Sequence, residues 1–129
     1  MTKIEAIIRP EKLSQLVKQI QEIGYPGMTV TEIVGHGRQQ GIHPEWPAHL
    51  RVPFLPKIKL EIVVETRDTD AVVHCIMKIA RTGRIGDGKI FISAVKDAIR
   101  IRTKEHGKKA LSTLKSFRKT KKRHQSLPV

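Results

Sequence analysis

The sequence has little of what usually advertises chemistry. A single cysteine, Cys75, in 129 residues excludes an internal disulfide framework and any cysteine-rich zinc site. Aromatic residues make up only 4% of the chain, so a core has to be built on aliphatic side chains. No apolar run approaches the roughly 18 residues of a membrane span. Lys3, Glu5 and Arg9 interrupt the start, where a signal peptide would be continuously apolar. These absences predict one soluble, cytoplasmic domain. No Ser/His/Asp set or carboxylate pair stands out, so the expectation is a protein that is not an enzyme. His36, His43, Glu45 and His49 fall close together without any recognised metal-ligand spacing.

Acidic residues are scarce as well, 12 against 25 Lys and Arg, for a net charge of +13. The imbalance is local. From Lys108 onward there are eight basic side chains and no acidic one, whereas residues 1–107 carry 17 basic and 12 acidic, a balance of +5. The body is mildly basic and the excess belongs to a tail, residues 108–129. Charge therefore gives no argument that the folded body binds nucleic acid.

A repeat runs through the body. KIEAII (residues 3–8) and KLEIVV (59–64) both alternate as strands do, and both begin Lys-apolar-Glu-apolar. Each is followed by a helical stripe: Leu13, Leu16, Val17, Ile20 and Ile23 in the first half, Val72, Val73, Ile76 and Ile79 in the second. Four of those positions match at an offset of 56 residues. A second apolar alternation closes each half, MTVTEIV and KIFISAV. The predicted fold is α+β: a ferredoxin-like double β-α-β with a four-stranded antiparallel sheet covered by two helices on one face.

Two other stretches ask for an explanation. TGRIGDGKIF (residues 82–91) places glycines around Asp87 and a lysine just before an apolar strand. Such a bare backbone suits either a tight turn or the close approach of phosphate, with Lys89 as a point charge; Asp87 itself reads equally well as a turn residue. The linker GHGRQQGIHPEWPAHLRVPFLPK (residues 35–57) has four prolines, three glycines and no periodicity. Loops longer than about 12–15 residues are uncommon in compact domains and are often functional. Downstream, IRIR (residues 99–102) reads as a short extra strand that would present Arg100 and Arg102 on one face as an anion clamp, or as a solvated edge.

With the doubled β-α-β, these pieces (GHGRQ opening the linker, FLPK closing it, TGRIGDGKIF, and IRIRT) resemble the PII nitrogen-regulatory signal-transduction family over residues 3–107. The resemblance implies a homotrimer that holds ATP or ADP in clefts between subunits and controls a partner through the linker, called the T-loop (about residues 37–56). By that likeness the phosphates meet Gly86, Asp87, Gly88 and Lys89, with Arg100 and Arg102 as the opposite wall. Thr29 and Glu61 line the adenine side, Val63 and Val64 supply nearby backbone, and Gly35, Gly37 and Arg38 contact the nucleotide where the T-loop begins.

The same resemblance implies that 2-oxoglutarate binds beside Mg-ATP. Gln39 would lend an amide oxygen to magnesium, a hard ligand for a hard cation, and Lys57 would pair with an acid carboxylate, with Gln40 and Gly41 beside them. Two positions depart from the family pattern: Gln40 stands where a lysine is usual, and Lys104 where Thr-Gly-Glu is usual. The T-loop is about one residue shorter than usual and has no Ser, Thr or Tyr between Arg38 and Pro56. No hydroxyl is present there to be modified. Trp46 and Arg51 are the expected docking residues, an apolar anchor with a cation near it. The expected partner is an ammonium transporter, a nitrogenase-related protein or another nitrogen-assimilation protein, with peripheral placement at the inner membrane when bound. The tail segment KKALSTLKSFRK has a basic amphipathic pattern. It fits an anionic membrane, nucleic acid or a solvated extension, and these alternatives stay open.

Overall fold

The computed structural model describes residues 1–35 and 55–111. Expectations placed on the T-loop between them, and on the tail beyond residue 111, lie outside the described residues. Four strands, β1 (Thr2–Ile8), β2 (Thr29–Gly35), β3 (Leu55–Val64) and β4 (Lys89–Ala94), alternate with α1 (Leu13–Ile23) and α2 (Thr69–Ala80). The sheet order is β2-β3-β1-β4 and every neighbouring pair is antiparallel. The opening strands of the two repeats are thus the two central strands, as the ferredoxin-like plan requires. β3 reaches back to Leu55, so Pro56 and Lys57 at the end of the linker are strand residues.

Helix stripe and strand alternation meet in one core. Ile4, Ala6 and Ile8 of β1 and Ile58, Leu60, Ile62 and Val64 of β3 point to one face, where they pack with Leu16 and Ile20 of α1 and Val72, Ile76 and Ala80 of α2. The repeat is visible in burial: Leu16 and Val72 are fully enclosed, as are Ile20 and Ile76. Pro10 opens a short 3-10 turn ahead of α1, where a missing N–H costs nothing. Gly24, at φ 128°, ends that helix with its N–H on the Gln21 carbonyl, 3.0 Å away.

The opposite face of the sheet is polar and repeats the same symmetry. Glu5 lies directly across from Glu61. Lys3 reaches Glu61 at 3.0 Å and Lys59 reaches Glu5 at 3.1 Å, two equivalent pairs produced by the 56-residue offset. Cross-strand neighbours of opposite charge stabilise a sheet by such diagonals.

One expectation is corrected. IRIR is not a strand: Ile99 makes an isolated bridge to His106, and residues 101–103 form a turn. The backbone folds back on itself there, with Arg100 N–H on the Glu105 carbonyl at 2.9 Å and Lys104 N–H on the Arg100 carbonyl at 2.8 Å. Lys104 takes φ 63° to close it, a left-handed conformation that local hydrogen bonding has to sustain.

Candidate functional site

The glycine-rich stretch after α2 is a folded loop with its own internal frame. Asp87 is the hub. One carboxylate oxygen accepts from the Thr82 hydroxyl at 2.5 Å and from Arg9 Nε at 3.2 Å, and the other from the N–H groups of Thr82 and Gly83 at 2.8 and 2.9 Å. Those bonds, the Thr82 hydroxyl first among them, hold the Asp87 carboxyl well below the usual carboxylate range. Both of its oxygens are thus engaged in shaping the loop.

Gly83, Gly86 and Gly88 take φ values of 85°, 102° and 102°, which side chains rarely adopt. Gly88 has a second requirement. A Cβ there would stand 1.6 Å from the Ile7 carbonyl oxygen, so the loop lies directly on the β1 backbone. This contact alone accounts for the absence of a side chain at 88.

Two cations from elsewhere in the chain seize the loop. Lys57, at the N-terminal end of β3, donates from Nζ to the Gly86 carbonyl at 2.7 Å. Burial and the neighbouring Arg9 guanidinium push the Lys57 ammonium below its ordinary pKa. Arg9, at the end of β1, is only 8% exposed; besides Asp87 it donates from Nη2 to the Ile85 carbonyl at 2.9 Å. Lys89 opens β4 in register with Ile7 and stays exposed. A cavity of about 290 Å³ separates the start of β4 from α2, lined by Ile76, Met77, Ala80, Arg81, Lys89 and Ile90 among others.

The expected site residues therefore divide into groups. Gly86, Asp87, Gly88, Lys89 and Lys57 come together around one loop. Thr29 and Glu61 are register partners on β2 and β3, one strand away, with Val63 on the same face; Val64 turns its side chain into the core and offers only backbone. Glu61 is held down to about 2, chiefly by its hydrogen bond with Lys3. Gly35 pairs with Leu55 where β2 ends. Arg100 and Arg102 belong to a separate turn, in which Arg100 pairs with Glu105 at 3.6 Å and reaches the Ala110 carbonyl at 3.5 Å. Gly37, Arg38, Gln39, Gln40, Gly41, Trp46 and Arg51 lie outside the described residues. Among the described residues no cluster of His, Cys, Asp and Glu is arranged to hold a metal ion, and no helix is long and apolar enough to cross a membrane.

Arg9 escaped the sequence reading. An arginine ending a strand before a proline has no local signature, because its partners lie 76 and 78 residues away. Tyr25 escaped for the same reason: its hydroxyl donates to Asp68 and accepts from the Glu65 N–H at 3.1 Å, tying the end of α1 to the start of α2.

Comparison with known proteins agrees with this architecture. The family model of the nitrogen regulatory protein P-II matches residues 1–105. The nitrogen regulatory protein P-II 2 of Methanothermobacter thermautotrophicus is 54% identical over 112 residues, covering 86% of this chain and 97% of that protein. The P-II protein of Rhizobium meliloti is 51% identical over 113 residues, 86% of this chain and all of the relative. A crystal structure of Arabidopsis thaliana PII bound to citrate superposes with a TM-score of 0.70 at 39% identity, covering 86% of this chain and 89% of that one.

Proposed function

This chain belongs to the nitrogen regulatory protein P-II family, and from that premise we propose that it is a homotrimeric sensor rather than an enzyme. It reads ATP or ADP together with 2-oxoglutarate and passes the result to a partner protein through residues 37–56. The observation that carries the reading is the bond from Lys57 Nζ to the Gly86 carbonyl at 2.7 Å. It joins the residue expected to meet an acid carboxylate to the loop expected to meet phosphate. On this reading the acid and nucleotide sites are neighbours in one subunit.

In this reading Gly86 and Gly88 let phosphate approach the main chain, and Lys89 adds a compact charge. Asp87 acts by shaping the loop. Arg100 and Arg102 supply the opposite wall from a neighbouring subunit, with Thr29, Glu61, Val63, Val64, Gly35, Gly37 and Arg38 around the rest of the nucleotide. Magnesium, held through Gln39 and the phosphates, supplies charge neutralisation when bound. Lys57, Gln40 and Gly41 take the acid. The citrate held by the Arabidopsis thaliana relative supports a fold that accepts small carboxylate anions. With no hydroxyl between Arg38 and Pro56, control runs through ligand-dependent T-loop conformation, and Trp46 and Arg51 make the docking contact.

Calorimetry tests the nucleotide site. ATP and ADP both bind, and Lys89→Ala or Arg102→Ala weakens each by about 1.5–3 kcal/mol, the size of a charge-assisted hydrogen bond. Unchanged affinity in both variants sinks the site. Binding of 2-oxoglutarate requires Mg-ATP and is impaired by Lys57→Ala; equal binding with ADP would show that the acid pocket works differently.

A further inference from the structure

Arg9 is the one charged side chain among the described residues that the fold buries. It sits at the end of β1 with extended backbone, held there by Pro10, which opens the next turn. From that fixed point its guanidinium spans two donor directions, Nε to Asp87 at 3.2 Å and Nη2 to the Ile85 carbonyl at 2.9 Å. The planar fork of an arginine can hold both at once; an ammonium at the same place is a shorter point charge. Burying a guanidinium costs free energy unless its hydrogen bonds are met, so these two bonds are requirements of the fold at this position. Asp87 in turn fixes Thr82 and Gly83. The loop is therefore clamped at both of its ends and across its middle.

We infer that Arg9, acting through Asp87, is a positioning residue for nucleotide binding: it sets the conformation of residues 82–88 so that their backbone and Lys89 meet the phosphates. Neither side chain needs to touch the ligand. The inference rests on the nucleotide reading above, and the two can fail separately.

The test exploits opposite signs. By charge alone, Arg9→Gln removes a cation and weakens binding of a polyphosphate, whereas Asp87→Asn removes an anion and strengthens it. The clamp predicts that both variants lose affinity for ATP, by about tenfold or more, as loss of a charged hydrogen bond implies. Displacement measurements with adenosine separate positioning from general loosening, because adenosine carries no phosphate and its affinity should stay within about twofold of the parent. Arg9→Lys, which keeps the charge and is the mildest change, should also lose ATP affinity while remaining folded by circular dichroism. Unchanged or tighter ATP binding by Asp87→Asn, parental affinity in Arg9→Lys, or an equal loss for adenosine overturns the inference. Failure of the parent protein to bind ATP overturns the nucleotide reading itself.

Discussion

At the scale of single residues, non-local contact decides what each side chain does. Gly88 illustrates this. Its sequence neighbourhood suggests room for a ligand, yet the atom that excludes a side chain is the Ile7 carbonyl. Gly88→Ala should destabilise the protein by about 1–3 kcal/mol through overpacking, on top of the strain of a positive φ, and this is measurable by urea unfolding. Gly83→Ala meets no atom within 4 Å and should cost less. Tyr25 makes a pH-dependent prediction. Burial, reinforced by the bond to Asp68, raises its phenol to about 12 from 10.0. A raised folded pKa means that the neutral form is favoured, so its contribution is complete below pH 10 and is lost as pH climbs towards 12. Thermal melts across that window should show a loss in the parent protein that Tyr25→Phe lacks. The variant itself should cost about 1–3 kcal/mol at neutral pH, because the Glu65 N–H loses its acceptor. Sequence reading could reach neither role, since Tyr25 and Arg9 obtain their meaning from residues 40 to 78 positions away. Asp87 was legible only as a choice between turn and ligand; three of its four donors come from Thr82 and Gly83 within the loop, and the fourth from Arg9.

At the scale of elements, legibility was high wherever a period extended over two turns or more. The stripes of α1 and α2 became the core faces they predict, and Ile20→Ala or Ile76→Ala should each cost about 2–5 kcal/mol, the range for emptying an enclosed aliphatic site. Chemical denaturation would show a shift in midpoint with an unchanged slope. The failure at IRIR is equally physical. Alternation over four residues satisfies the strand pattern, but a strand needs a partner along its length, and here only Ile99 finds one, in His106. The following residues close a turn instead, through Thr103, Lys104 and Glu105. The paired lattice on the open face of β1 and β3 was written in the repeated Lys-apolar-Glu, although only the antiparallel register reveals that each lysine bonds the glutamate of the other repeat. Because Glu61 is depressed to about 2 from 4.5, its contribution is present above pH 4.5 and fades as pH falls towards 2. Glu61→Gln should flatten the acid limb of the stability profile in that interval.

At the scale of the whole molecule, the apolar surface left over by one subunit is instructive. The edge strand β4 exposes Phe91 and Ile92 at 54% and 55%, and Ile101 at the tip of the following turn is 96% exposed. Large apolar side chains exposed on an edge strand are a hazard for a monomer and a contact for an oligomer. Phe91 lies across from Glu5, on the sheet's charged face, where lysines and glutamates of β1 and β3 are already paired. On the proposed reading, the placement of Arg100 and Arg102 in a turn of their own follows from a nucleotide that takes its two walls from different copies. That reading makes oligomerisation and nucleotide binding one event in part. Sedimentation should give a particle of three times the 14.6 kDa chain mass. Phe91→Lys, which places a charge on the edge without touching the core, should shift that particle towards monomer and weaken ATP by as much as removing Arg102 does, because it takes away the same wall. A variant that stays trimeric would show that β4 is not the contact, and one that falls apart while binding ATP normally would place both walls of the site in a single chain.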